Sequence, residues 1–445
     1  MDLIQLDCLE GLPLHYKQYI PVILNSKPDI MEVLKTIDFL NLPEIPYHLL
    51  NEIIVIDIKT FKNTFNENQW IYNDVIEFRK WWEETELEYR CQGASKVGKL
   101  NWLKFARENG CPWDKWTTRS AASNGHLECL IWAHENGCPW DEETIQEAVS
   151  NGHIECLKWA HKNGCPWNET TTCLAASNGH LECLIWAHEN GCPWDKDTTR
   201  HAALNGQLDC LMWAHENGYP WDEVTTRHAA IKGHLECLIW ARENGCPWTE
   251  NTTRYAASNG QLECLKWAHE NGCPWNETTT FLAAENGHLE CLKWAVNNGC
   301  PCNEDITRAA VSDGHLDCLM WAHENGYPWD KYTTSYAAYG GHLECLKWAS
   351  NNGCPWDEDT TMYAALNGHL ECLKFARENG CPWNEYTMIA AYVNNQNECL
   401  KWAKENGCPW DENNIDECLE LAREKSCCWS DDNIQEYKWL KENNL

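Results

Sequence analysis

Residues Thr117 to Asp141 read TTRSAASNGHLECLIWAHENGCPWD, and the punctuation of this stretch marks two short helices joined by tight turns. Thr117 or Thr118 is expected to cap the first, because a hydroxyl accepts from an otherwise orphaned first-turn amide. Asn124-Gly125 ends that helix, since glycine takes up the left-handed conformation at little cost. The second helix is expected from about His126 to Asn136, with Leu127, Leu130 and Ala133 along one side and Cys129 and Trp132 beside them. Gly137 stops it, and Pro139 cannot continue it. Neither helix is long enough to stand alone, so each hairpin must bury its apolar stripe against another.

The same stretch recurs. Cys-Pro-Trp or a close variant begins at Cys111, Cys138, Cys165, Cys192, Tyr219, Cys246, Cys273, Cys300, Tyr327, Cys354, Cys381 and Cys408, each 27 residues after the last. Such spacing without insertion or deletion requires a unit that stacks on its neighbour in one fixed way. The expectation is therefore all-α: an α-solenoid of stacked helix-turn-helix units over residues 84–410. Ala94 to Gly110 read as a degenerate opening unit, and residues 411–445 as truncated capping repeats, since Cys427 follows Cys408 by only 19 residues. Residues 1–83 carry no repeat and read as a small helical N-terminal domain or cap.

Charge narrows the function. There are 67 Asp and Glu against 35 Lys and Arg, a net charge of -32, which disfavours nucleic acid and anionic membranes as partners. The longest apolar stretch, around Ile53 to Ile58, is interrupted by Asp57 and is too short to span a bilayer. Met1 to Asp7 lack a basic region followed by an apolar core, so an intracellular protein is expected, in the cytoplasm rather than the nucleus. In that compartment the 28 cysteines are expected as free thiols, and the sequons at Asn168, Asn251 and Asn276 as unmodified.

Thr117, Ala121, Ala122, Gly125, His126, Leu127, Cys129, Leu130, Trp132, Ala133, Gly137 and Cys138 follow the pattern of the ankyrin repeat, and the chain resembles that family over about residues 84–445. The unit is 27 residues long rather than about 33. The missing residues fall in the hairpin finger, here reduced to Gly-Cys-Pro-Trp-Asp, and short arrays of this kind are similar to those of large DNA viruses and protists. The resemblance implies a protein-protein interaction scaffold, with partners received along the loops and first helices.

Recurring cysteine and histidine could suggest zinc, which needs four convergent ligands. Gln207, Gln261 and Gln396 replace the turn histidine, and Tyr219 and Tyr327 replace the loop cysteine, while Cys210 and Cys318 remain. A ligand set would lose its members together, so the cysteines read as small core residues and His126 as a turn-bonding residue. The tryptophan columns of Trp132 and Trp140 read as packing. The column of His134, which becomes Arg242, Val296, Ser350, Arg377 and Lys404, reads as a solvated helix face. No phosphate loop, nucleophile elbow or unique Cys-His pair stands out, so neither catalysis, nor a cofactor, nor a metal is expected.

Binding positions are sought where the units differ. The column before Thr117 reads Trp116, Glu143, Thr170, Asp197, Val224, Asn251, Thr278, Asp305, Tyr332, Asp359 and Tyr386. A second, at the end of the first helix, includes Ser123, Leu204, Glu285, Tyr339 and Val393. Trp116, Glu143, Asp197, Asp305, Tyr332, Tyr339, Asp359 and Tyr386 are the candidate protein-binding residues of an acidic groove with aromatic anchors, suited to a basic or mixed partner surface and a monomeric protein. An alternative is a substrate receptor for a cullin-type ubiquitin ligase, because Leu42-Pro43-Glu44-Ile45-Pro46 loosely resembles the opening of an F-box over about residues 40–83.

Overall fold

The computed structural model describes residues 70–409 together with 49–55, Leu34 and Phe61. Leu42 to Pro46, which carry the F-box resemblance, and all of the C-terminal capping repeats expected over 411–445 lie outside the described residues. The chain divides into two compact units, one comprising Met1–Ala202 with Asp209–Tyr219, the other Ala203–Leu208 with Pro220–Leu445. In both, the described residues form helices and turns with no strand, and hairpins of two short helices, most of them nine residues long, follow one another in sequence.

Local chemistry sets each hairpin. Asp114 is extended and its carboxylate accepts from the Trp116 amide, which starts the first helix at Lys115–Ser123. The cap is thus the Asp or Asn, or Thr at 249, three residues before the threonine pair, and Thr117 and Thr118 lie inside the helix, fully buried. This corrects the expected threonine cap: Asp at this position reaches the orphan amides, leaving the threonines free for packing. Elsewhere the first threonine closes a reciprocal capping box, as Thr144 does with Asp141.

Both helices of the unit end in the same way. Gly125 has φ of 72°, with His126 N donating to Ala121 O at 2.9 Å and Gly125 N to Ala122 O at 3.2 Å. The second helix, Leu127–Glu135, ends with Cys138 N donating to Ala133 O at 2.9 Å and Gly137 N to His134 O at 3.0 Å. These paired bonds, six-to-one and five-to-two, satisfy the last carbonyls through a left-handed glycine.

Between hairpins, Ala121 and Ala122 let successive first helices pack closely, while Cys129, Leu130 and Ala133 bury the inner side of the second. Polar ties register the stack. Thr118 Oγ1 donates to Lys115 O and to Pro139 O of the next loop, at 2.9 and 3.0 Å. The same bond recurs in the second compact unit, from Thr253 to Pro274 at 2.8 Å and from Thr361 to Pro382 at 3.1 Å. Cys138 donates its thiol to Asp114 O, closing its own hairpin at 3.2 Å. The turn histidine does not bond its own turn: His153 Nε2 lies 3.1 Å from Ser123 O, thirty residues earlier, and its ring sits over Gly125 of the preceding hairpin.

The loop tryptophans pack as expected, Trp140 lying edge-on to Trp159 at 5.7 Å. The His134 column, however, is not a freely solvated face. His134 stacks on Trp140 at 3.7 Å, as His161 does on Trp167 and His269 on Trp275. Where arginine takes the position, its guanidinium covers the same indole: Arg107 over Trp113 at 4.6 Å and Arg242 over Trp248 at 4.4 Å. Histidine and arginine exchange at this position because both side chains are planar and cover an indole face. Val296 occurs in the unit whose loop has Cys302 instead of tryptophan.

Ahead of the repeats, the helix Trp70–Glu84 buries Ile71, Val75 and Phe78 in a core shared with Leu103 and Phe105 of the first hairpin. Phe78 meets Phe105 edge-on at 5.4 Å, and Arg90 lies over Trp82 at 3.8 Å.

Candidate protein-binding face

Because the cap places Trp116 at the second helical position, residues 116, 119, 120 and 123 follow the i, i+3, i+4, i+7 spacing of a single helix face. The opposite face carries the buried threonines and alanines. Both variable columns found in the sequence therefore belong to one outward stripe, and two further columns, those of Arg119 and Ser120, belong to it as well.

In the first compact unit Trp116 and Glu143 are exposed and Asp197 is half-buried. Trp116 lies 4.7 Å from the Arg119 guanidinium. Arg119 is buried and grips Asp141, Nε to Oδ1 at 3.0 Å, and also pairs with Glu143. That guanidinium holds the Asp141 carboxyl below its ordinary range. Glu143 is thus committed to an internal pair, and Asp197 likewise pairs with Arg200 at 2.9 Å. Cys173 Sγ lies 3.3 Å from His201 Nδ1, but burial pushes the thiol up to about 11, so the pair does not supply a thiolate at neutral pH.

In the second compact unit the stripe opens. Cys302 replaces the loop tryptophan and the first helix starts late, at Ile306–Ser312, with Asp305 as its cap. Asn303, at the usual cap position, still accepts from the Asp305 amide at 3.2 Å. The late start and the small Ala309 leave a cavity of about 260 Å³ lined by Phe281, Asp305, Arg308, Ala309, Ser312 and Tyr336. Arg308 bonds Asp305 and Asp330, each at 2.6 Å, and lies 5.1 Å from the Tyr332 ring.

Next to the cavity, the helix Lys331–Tyr339 carries Tyr332, Tyr336 and Tyr339, exposed by 44%, 46% and 39%. Tyr363 meets Tyr339 edge-on at 5.6 Å, and Met362, Leu366 and Ala390 form an apolar floor with Tyr363 and Tyr386 against it. Asp359 is half-buried at the start of its helix, its amide held by Asp357 at 3.1 Å.

Of the eight sequence-derived residues, Asp305, Tyr332, Tyr339, Asp359 and Tyr386 lie on the first-helix stripe of the second compact unit, and Trp116, Glu143 and Asp197 on that of the first. Tyr336 was missed. Its column varies as much as the two chosen, and its four-residue spacing from Tyr332 marks it. The Arg119 column, which includes Arg200, Arg227, Arg254 and Arg308, was missed too, so the face is not uniformly acidic.

The chain is thus an all-helical repeat protein whose variable positions lie along one side of the first helices. The family model described as ankyrin repeats (3 copies) matches residues 253–330, a span that includes all but Tyr336 of the cavity lining, and the stack of short helix pairs is consistent with an ankyrin-like repeat protein. A search of the curated proteins gives no match. Ankyrin repeats are generally protein-interaction modules. Among the described residues no helix is long and apolar enough to cross a membrane, and no group of three or more His, Cys, Asp and Glu is placed to hold a metal ion.

Proposed function

We propose that this chain is a non-catalytic interaction scaffold that receives partner proteins on the first-helix face, with Tyr332, Tyr336 and Tyr339 as the anchors. The observation that carries this reading is three tyrosines, each about two-fifths exposed, on one nine-residue helix beside a cavity. A repeat protein has no packing need for such exposure, whereas tyrosine offers a partner a large rigid contact with a polar tip. The excess of acidic residues favours a partner with a basic or mixed surface and argues against nucleic acid. Burial pushes the Cys173 thiol beside His201 up to about 11, which disfavours this Cys-His pair as a nucleophile.

The test is capture from lysate with quantitative mass spectrometry, comparing the full chain with a Tyr332→Ala, Tyr336→Ala, Tyr339→Ala variant. Each truncation is expected to cost about 1–2 kcal/mol of binding, so the triple variant should lose its partners. Its thermal unfolding should stay close to that of the parent, because the side chains are exposed. Equal capture by both proteins would remove this face as the recognition surface.

A further inference from the structure

The arginines of the first-helix face follow a rule, and two of them break it. Arg119 pairs with Asp141 and Arg308 with Asp330, in each case the capping aspartate 22 residues ahead. The residues 22 ahead of Arg227 and Arg254 are Thr249 and Asn276, which are neutral. Both are occupied as helix caps, Thr249 accepting from the Asn251 amide at 3.3 Å and Asn276 from that of Thr278 at 3.1 Å. The second helical positions nearby, Val224, Asn251 and Thr278, are neutral as well, where Glu143 and Asp305 help hold the paired arginines.

Among the described residues, Arg227 and Arg254 form no ion pair, and the Arg254 Nε is buried without a hydrogen-bond partner. Both guanidiniums instead face the ring of Tyr255, with Cζ at 5.6 and 4.9 Å from its centroid. One ring is a weak counterpart for two cations, and two guanidiniums beside the same ring repel each other. In a chain with 67 acidic residues, this is a place where acids are missing from all five of the cap and second helical positions named above for these two arginines.

We propose that Arg227 and Arg254, both beside the Tyr255 ring, form an oxyanion-binding site that takes a phosphorylated side chain of the protein bound on this face. A phosphoryl group carries about -1.5 to -2 charge and three acceptor oxygens, which matches two forked donors where a single carboxylate matches one. The negative charge of the whole chain repels extended acidic segments, so one concentrated dianion fits better than a run of Asp and Glu. The partner half of this proposal rests on the first-helix face being the recognised surface; the anion site itself does not.

The test uses the full chain labelled with ¹⁵N-arginine, whose Nε–Hε signals are followed by NMR during titration with inorganic phosphate, acetate or chloride at constant ionic strength. The signals of Arg227 and Arg254 are assigned by their loss in Arg227→Gln and Arg254→Gln. They are expected to shift saturably with phosphate and at least tenfold less with acetate, while those of Arg119 and Arg308 stay in place. No shift, or a shift of all arginines together, would overturn the site. An equal response to acetate would overturn the phosphoryl assignment. Each of these results is independent of the tyrosine variant, so failure here is distinguishable from failure of the binding face.

Discussion

Gly125 and Gly137 close the two helices of one hairpin with nearly the same backbone, φ of 72° and 87°, yet their surroundings differ. A side chain added at Gly137 would meet nothing within 4 Å, so Gly137→Ala carries only the cost of a left-handed alanine, about 1–2 kcal/mol. At Gly125 the new methyl would lie 2.5 Å from His153 Nδ1 and 2.8 Å from its Cε1. The ring cannot simply swing away without giving up its 3.1 Å contact with Ser123 O, a bond contributing about 1 kcal/mol. Overpacking adds about 1–3 kcal/mol, so Gly125→Ala should cost about 3–6 kcal/mol in all. In a His153→Ala background the same substitution should fall back to about 1–2 kcal/mol, because only the backbone cost is left. Repeat arrays open unit by unit, so the assay is amide hydrogen exchange across residues 115–135 together with urea unfolding. Equal costs at the two glycines, or a Gly125→Ala cost unaffected by His153→Ala, would refute the histidine-on-glycine contact as a register element.

Two other expectations concern the core. Burial pushes the thiols of Cys138, Cys165 and Cys246 from 9.0 to about 12, so their folded forms stay protonated well above neutral pH. The sign follows: the folded chain holds protons that the unfolded chain releases from about pH 9, so this stability is complete below pH 9 and is lost as pH rises toward 12. Alkaline unfolding monitored by tryptophan fluorescence should begin above pH 9 and move upward when several of these cysteines are replaced by alanine. Thr253→Val keeps the shape of a fully buried side chain but removes its bond to Pro274 O, and should cost about 1–2 kcal/mol by urea unfolding, whereas Thr253→Ser should retain that bond. A Thr253→Val cost no larger than that of Thr253→Ser would show that the hydroxyl tie does not hold the hairpins in register.

The helix pairs were legible because their signals are local. Asn-Gly at the end of most helices, Pro after the loop cysteine and the unbroken 27-residue phase each act within a few residues of the backbone they shape. The variable stripe on which the proposed binding face lies was legible by the same logic, since variation between units is visible wherever packing does not force identity. The cap was misassigned because Asp114 and Thr117 are both good caps, and only the buried position of the threonines decides between them.

What the sequence by itself determined is the hairpin, its period and the positions free to vary, all fixed by turn chemistry and periodicity. What only the tertiary structure decided is which hairpin each side chain serves. His153 reaches back thirty residues to the preceding turn, Thr253 reaches forward to the next loop, and Arg227 and Arg254 stand where a neighbour's cap is neutral. Those pairings depend on how far one hairpin advances on the next. That advance is set by the small alanines and buried threonines packed between the first helices, and no single 27-residue unit contains it.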